Sequence, residues 1–312
     1  MDRISLFLRE LGRRLTIPHR EDLFLHQISR LDRDYELEKK WNTFNSKLDL
    51  EFQGDLEKYD KAWNRYCTDL VKYYTKNQVV PKTLHILEDQ KLRETEFNGD
   101  LLPGHIYLKL DLVHAFSQTL EYYKIVPDSE PEIVKMYTSS SLIAESKVAR
   151  VLAYTLINTN SMHVLVEQLL RTALEDQDSL LARQLRIMGI PIVRKDLDDF
   201  VYDITGFEDT FYPFVGQQVL NGVNIHISIF KHDSLIYYYD YALRLTQVQT
   251  DFETGRKVFG TVGTREFLPQ FVCLDTGEPI REKDLWWEDS DGLHKHDKPI
   301  RQVLLGPENV VE

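Results

Sequence analysis

The residues best suited to chemistry are carboxylates, and four of them lie between positions 196 and 203. Residues 190–195 and 200–204 are rich in Ile and Val and predict two short strands, joined by a turn that carries Asp196, Asp198 and Asp199. Carboxylates crowded at the tip of an apolar hairpin repel one another, and oxygen ligands of this kind suit Mg²⁺ or Mn²⁺. The alternative is an ordinary Asp-rich turn, because Asp favours turns through local hydrogen bonds.

A further carboxylate, Asp111, follows a predicted strand over residues 106–110, and a helical pattern comes after it. An aspartate at the C-terminal end of a strand can present its carboxylate beside a neighbouring hairpin tip. We therefore expect the carboxylates of Asp111 and Asp198 to lie about 4–6 Å apart around a shared cation. Asp199 joins them only if a tight turn brings both neighbours inward, since adjacent strand residues point to opposite faces. Paired cations at such a site activate a 3′ hydroxyl and stabilise a pyrophosphate leaving group.

Basic residues that could bind a phosphate chain lie on a predicted helix over residues 142–158. Lys147 and Arg150 are three positions apart and share a face of that helix, with Tyr154 one turn beyond. Two cations on one helical face could bind a triphosphate. The alternative is a basic face that only contacts solvent.

Composition places the chain among ordinary globular proteins: 312 residues, 42% of them hydrophobic, with a formal net charge of −12. Two cysteines, Cys67 and Cys273, cannot form a disulfide framework, so we expect a reducing compartment and predict a cytoplasmic protein. No apolar run approaches the length of a membrane span, so no membrane partner is expected. The acidic balance argues against a protein that coats DNA nonspecifically, but it permits an enzyme with one basic cleft.

Hydrophobic periodicity changes from helical to strand-like after Pro81 and predicts an α+β fold. We predict a helical N-terminal region over residues 1–85, a core of antiparallel sheet with inserted helices over 86–220, and a β-rich C-terminal region over 221–312. Residues 84–89 are predicted to form a strand. Residues 223–230 and 235–245 predict an antiparallel pair that turns around 231–234.

Tyrosines stand close together at positions 237, 238, 239 and 241. A single pleated strand places Tyr237, Tyr239 and Tyr241 on one face, where the expected role is packing. Base stacking is the alternative role for such a run.

The order of three of these segments resembles the palm of family A DNA polymerases and of their single-subunit RNA polymerase relatives. KLDLVHAFSQTL is similar to the palm strand that ends in a metal-binding Asp, and AESKVARVLAYTLIN is similar to the helix that binds the incoming triphosphate. VRKDLDDFVYDI is similar to the hairpin that supplies the second metal-binding Asp. The resemblance covers about residues 105–205. The whole chain is also similar to uncharacterised proteins of large DNA phages and viruses, a similarity that implies no function.

This resemblance implies a palm-like sheet and a set of site residues. As ligands of Mg²⁺ or Mn²⁺ it implies Asp111 and Asp198, with Asp199 as a third catalytic residue. As substrate-binding residues it implies Lys147, Arg150 and Tyr154. The chain departs from the family where Thr155 follows Tyr154, where Phe116 follows Asp111 by five positions, and where Leu197 precedes Asp198.

Three functions agree with these residues. The first is a metal-dependent, polymerase-like nucleotidyltransferase whose partners are nucleic acid, a nucleoside triphosphate and possible replication or transcription proteins. The second is a non-catalytic palm-derived protein that binds nucleic acid or such a complex, favoured by the acidic charge and the missing motif residues. The third is a metal-dependent nuclease, which would more often carry a lysine or a glutamate beside the carboxylates, and Lys109 or Lys195 could serve.

Overall fold

The computed structural model describes residues 2–11, 15–89, 99–155, 159–175, 179–195, 198–260 and 265–303. The predicted α+β class is confirmed, with a helical N-terminal region and an antiparallel sheet. Contacts divide the chain into two compact units: unit 1 combines Met1–Ser46 with Lys231–Glu312, and unit 2 is Lys47–Phe230. The division into three regions that the sequence predicts, residues 1–85, 86–220 and 221–312, remains a prediction.

Helices occupy most of the first half of the chain. In chain order the described α-helices are α1 (Arg3–Glu10), α2 (Glu21–Arg30), α3 (Asp32–Tyr35), α4 (Leu37–Phe52), α5 (Leu56–Lys76), α6 (Val79–Asp89), α7 (Ala115–Tyr122), α8 (Glu130–Tyr137), α9 (Ser141–Ala144), α10 (Lys147–Thr155), α11 (Thr159–Leu174), α12 (Leu180–Ile187), α13 (Glu208–Phe211) and α14 (Leu268–Thr276). Three 3₁₀ turns cover Tyr212–Phe214, Arg265–Phe267 and Glu282–Leu285.

Strands dominate the second half. They are β1 (Ile106–Leu112), β2 (Ile192–Lys195), β3 (Asp199–Asp203), β4 (Gly216–Leu220), β5 (Val223–Tyr239), β6 (Ala242–Asp251), β7 (Lys257–Phe259), β8 (Trp286–Asp289), β9 (Gly292–Lys295) and β10 (Arg301–Gln302). In unit 2 the sheet order is β2-β3-β1-β5, with β4 also paired to β5. In unit 1 the order is β5-β6-β7, with β10 also paired to β5, and β8 and β9 form a separate pair.

The two faces of the unit 2 sheet differ in what they contact. Leu108, Leu110 and Leu112 of β1 belong to a buried cluster with residues of α11 and α12, so helices cover this face. Because side chains alternate along a strand, Tyr107, Lys109 and Asp111 point to the opposite face. That face carries a smaller cluster, in which Tyr107 packs with Val201 and Phe230. The charged residues of β1 therefore lie on the face that these helices leave open.

The predicted hairpin of residues 190–204 is present as the antiparallel pair β2 and β3. Its second strand begins one residue earlier than expected, at Asp199, which makes Asp199 part of the sheet ladder. Asp196 and Leu197, in the predicted turn, lie outside the described residues.

Two sequence predictions about secondary structure are wrong. Residues 84–89 belong to helix α6. Pro81 does not interrupt this helix, because it lies in the first turn, where a missing N–H is tolerated. Residues 231–234 continue strand β5, and Lys231 Nζ lies 3.0 Å from Asp233 Oδ2 on the same side of the strand. The polar residues that imitate a turn are thus an ion pair along a strand.

No helix in the described ranges is long and apolar enough to cross a membrane.

Candidate active site at the ends of strands β1 and β3

Strands β1 and β3 bring two of the predicted site aspartates together. In their antiparallel register Asp111 lies directly opposite Asp199, and Tyr107 lies opposite Asp203. Directly opposed residues point to the same face of a sheet, so both carboxylates project from the face without the helices. The cross-strand partner of Asp111 is therefore Asp199, the member that the sequence supported least. The predicted separation of Asp111 and Asp198 stays a prediction.

Lys109 lies between these two carboxylates. Its Nζ is 3.2 Å from Asp111 Oδ2 and 2.8 Å from Asp199 Oδ2. Burial disfavours its charge, but the charges of Asp199 and Asp111 outweigh burial and raise the pKa of Lys109 above its usual range. The ammonium group is therefore charged at neutral pH and balances part of the negative charge.

Asp198 immediately precedes β3, and its carbonyl oxygen accepts a hydrogen bond of 2.9 Å from the N–H of Leu112. This bond ties Asp198 to the end of β1, next to Asp111. Burial, and after it the charge of Asp111, raises the pKa of Asp198 above the usual range of an aspartate. Lys109 and Lys147 lower the pKa of Asp198 in part. Asp198 thus lies within the electrostatic reach of Asp111 and of a cation on α10.

The two basic residues predicted to bind phosphate have different surroundings. Lys147 is the first residue of α10, is exposed, and acts on the charge of Asp198. Arg150 forms an ion pair, with its Nη1 3.0 Å from Glu130 Oε1, and it donates to the carbonyl of Ala144. Lys147 is therefore the better candidate for a phosphate ligand. The side chain of Tyr154 lies outside the described part of the chain.

Glu130 is a residue that the sequence did not indicate. Besides Arg150, its carboxylate contacts His114, whose Nδ1 is 3.0 Å from Oε2, and it accepts a hydrogen bond of 2.5 Å from Ser117. His114, Glu130 and Arg150 line a cleft of about 630 Å³. The only local signal was the capping box of Ser129 and Glu132, which places Glu130 in the first turn of α8. That signal predicts a helix start but not a partner twenty positions away.

The two lysines that the nuclease hypothesis named, Lys109 and Lys195, have different ion-pair partners. Lys195 Nζ lies 2.5 Å from Glu167 Oε2, and the other oxygen of Glu167 is 2.8 Å from Arg171 Nη2. Lys109, by contrast, contacts both site aspartates. Of these two lysines, Lys109 is therefore the one that accompanies the carboxylates.

The oxygen atoms around Lys109 are of the kind that a divalent cation such as Mg²⁺ takes as ligands. The carboxylates of Asp111 and Asp199 already converge on one positive charge, and Mg²⁺ in proteins is commonly held by one or two carboxylates together with substrate phosphates. The donors therefore fit one hard cation that displaces the Lys109 ammonium group. Over the described residues, no group of three or more His, Cys, Asp or Glu side chains could hold a metal ion. A cation here would thus need further oxygens from water or substrate.

Comparison with known proteins identifies no relative: no family model, no curated protein and no solved structure matches the chain.

Proposed function

We propose that the chain is a polymerase-like nucleotidyltransferase that acts on nucleic acid with Mg²⁺ or Mn²⁺, in the cytoplasm. The observation that carries the proposal is the cross-strand pair of Asp111 and Asp199, which share one cationic group and have Asp198 beside them. Like charges this close favour a bound counter-charge. The palm resemblance of residues 105–205 agrees with this arrangement.

In this proposal each side chain has a separate role. Asp111 and Asp198 would hold the cation, with Asp199 beside them as a third catalytic carboxylate, and the cation would supply activation of a 3′ hydroxyl and stabilisation of a pyrophosphate leaving group. Lys109 neutralises the carboxylates before the cation binds. Lys147 binds the triphosphate, because it is exposed and lies within the field of Asp198. Arg150, held by Glu130, positions α10 rather than contacting phosphate. Nucleic acid, a nucleoside triphosphate and a replication or transcription complex are the partners proposed.

The test is nucleotide incorporation into primed DNA and RNA templates with Mg²⁺ or Mn²⁺. Asp198→Asn and Asp111→Asn should abolish incorporation, because Asn keeps the shape of Asp but not its charge. The matched control is Asp203→Asn at the far end of β3, since Asp203 bonds to His105 and Thr205 instead. Lys147→Ala should chiefly raise KM for the triphosphate.

Thermal melts with and without Mn²⁺ accompany the assay. Wild-type protein that incorporates no nucleotide, and whose Tm does not respond to Mn²⁺, would support the non-catalytic binding protein instead. Incorporation by Asp198→Asn at the wild-type rate would contradict the assigned site.

One observation favours nuclease activity as a second candidate. Lys109 contacts both Asp111 and Asp199, and a lysine beside metal-binding carboxylates can stabilise charge on a phosphodiester during cleavage. The same assay separates the two activities, because a nuclease shortens the primer. Shortening that disappears in both Asp198→Asn and Lys109→Met would support the nuclease.

A further inference from the structure

The hairpin turn between β5 and β6 has an unusual composition. It consists of Asp240 and Tyr241, which both have positive φ angles, 49° and 61°. A two-residue turn of this kind normally takes Asn-Gly or Asp-Gly, because a Cβ atom is disfavoured in the left-handed region. Tyr241 is nevertheless 83% exposed, so burial of its ring does not explain its presence. The sequence-based expectation that Tyr241 packs with Tyr237 and Tyr239 is wrong, although those two do pack against Phe267.

A pocket of about 400 Å³ lies beside this turn. Its lining includes Tyr238 and Tyr241, together with Lys298 and Arg301. We call these four residues the Tyr241 surface. Tyr238 is 40% exposed, and Arg301 lies directly opposite it on the paired strand β10. The pocket therefore presents two accessible aromatic rings and two cations within unit 1.

The cations lie close to the rings. Lys298 Nζ is 5.9 Å from the centre of the Tyr241 ring, and the guanidinium carbon of Arg244 is 5.6 Å from the centre of the Tyr239 ring. Cations already placed over these rings repel a second cation, so the ring faces favour a neutral base over a positively charged ligand. Asp240 and Asp297 also line the pocket, so its lining holds two cations, Lys298 and Arg301, and two carboxylates.

We propose that the Tyr241 surface binds single-stranded nucleic acid. Unpaired bases stack on the exposed faces of Tyr238 and Tyr241, and the phosphates lie beside Lys298 and Arg301. Aromatic rings and cations in alternation are the means by which proteins bind single strands with little sequence preference, since every base has a face that can stack. Duplexes bind less well, because their bases are already stacked on each other. This binding does not depend on the chemistry at Asp111 and Asp198.

The test is fluorescence anisotropy of labelled oligo-dT and oligo-U of about twelve nucleotides, at about 50 mM salt, with a duplex of the same length as competitor. Wild-type protein should bind the single strands. Tyr241→Ala should weaken binding roughly five- to hundredfold, the range measured for loss of one stacked base. Tyr241→Phe should bind as wild type. Lys298→Ala should reduce the slope of log affinity against log salt by about 1.

Three controls make the result specific. Tyr212→Ala removes a 53% exposed tyrosine from unit 2 and should leave affinity unchanged. Binding should be the same with Mn²⁺ and with EDTA, which separates this proposal from the proposed nucleotidyl transfer. Tyr241→Gly should lose binding while the midpoint of urea unfolding rises, because glycine tolerates a positive φ.

Three results would overturn the proposal. They are wild-type protein that binds no oligonucleotide at low salt, Tyr241→Ala that binds as tightly as wild type, and preference for the duplex over the single strand. Loss of affinity in Lys298→Ala without any loss in Tyr241→Ala would likewise contradict stacking and leave only charge attraction.

Discussion

The two units each contain a group of charged residues around aspartate, and the two groups are built differently. In unit 1, Asp284 has no exposed surface and is surrounded by His26, Arg30 and Cys273; we call this the Asp284 centre. In unit 2, the Asp111 centre consists of Lys109, Asp111, Asp198 and Asp199, and the side chain of Asp111 is 37% exposed.

The Asp284 centre has one carboxylate and several donors. His26 Nε2 is 2.7 Å from Asp284 Oδ1, Arg30 Nε donates to the same oxygen at 3.4 Å, and the N–H of Arg281 donates to Oδ2 at 2.7 Å. Burial, and after it the charge of Asp284, raises the pKa of the Cys273 thiol to about 12, so this cysteine is not a nucleophile at neutral pH. The burial of Asp284, its hydrogen bonds and the raised pKa of Cys273 all indicate that the Asp284 centre has a structural role.

The Asp111 centre has the opposite balance, because three carboxylates share the ammonium groups of Lys109 and Lys147. Burial, and after it the charge of Asp111, raises the pKa of Asp198. A buried carboxylate surrounded by donors stabilises the fold, whereas a centre with excess negative charge and one partly exposed carboxylate can still bind a cation. Burial and charge balance, rather than the presence of aspartates, therefore distinguish the candidate site from the structural centre.

The largest expected effect is on the structural centre. Asp284→Asn should lower the free energy of unfolding by about 3 kcal/mol, because it leaves the Arg30 guanidinium group and the His26 ring beside a buried group without charge. Asp111→Asn, at a partly exposed carboxylate, should change it by less than about 1 kcal/mol. Urea unfolding of both variants measures the difference. Equal losses in the two variants would remove the distinction between the centres.

A smaller effect is expected at Lys109. Lys109→Met should lower the free energy of unfolding by about 1–2 kcal/mol in the absence of divalent cation, because Asp111 and Asp199 then repel each other. Mn²⁺ should restore the free energy of unfolding of this variant toward the wild-type value. The matched control is Lys231→Met, since Lys231 contacts Asp233 two positions along a strand, as Lys109 contacts Asp111. That exposed pair should contribute less than about 1 kcal/mol, and Mn²⁺ should not affect it. Absence of a Mn²⁺ response in Lys109→Met would mean that the carboxylates bind no cation.

The smallest effect concerns pH. A carboxyl group whose pKa is raised on folding stabilises the protein below its unfolded pKa, near 3.8, and this stabilisation disappears as pH rises through the folded pKa. Asp198→Asn should therefore be slightly more stable than wild type at pH 7, and the advantage should disappear at acidic pH.

Asp203→Asn serves as the control for this pH dependence. Burial raises the pKa of Asp203, but hydrogen bonds from Thr205 and His105 outweigh burial and lower that pKa. That variant should be less stable than wild type at pH 7. Parallel curves for wild type and Asp198→Asn across the acidic range would contradict the assigned environment of Asp198.

Local patterns predicted some features well. The strand before Asp111 and the hairpin of residues 190–204 were predictable, since β-branched residues and alternation report directly on strands. The turn of β5 was not, because Lys231–Ser234 imitates a turn and Asp240–Tyr241 lacks the glycine that marks one. Residues 84–89 were misread because a short apolar run does not distinguish a strand from a helix.

The sequence by itself determined that the chain is α+β and that Asp111 and Asp198 stand at the ends of strand segments, because side-chain propensities act over a few residues. Only the tertiary structure decided that Asp111 faces Asp199, that Lys109 rather than Lys195 accompanies them, and that Glu130 binds Arg150. These pairings depend on strand register and helix packing. Both are set by the burial of residues far apart in the chain, which no local pattern records.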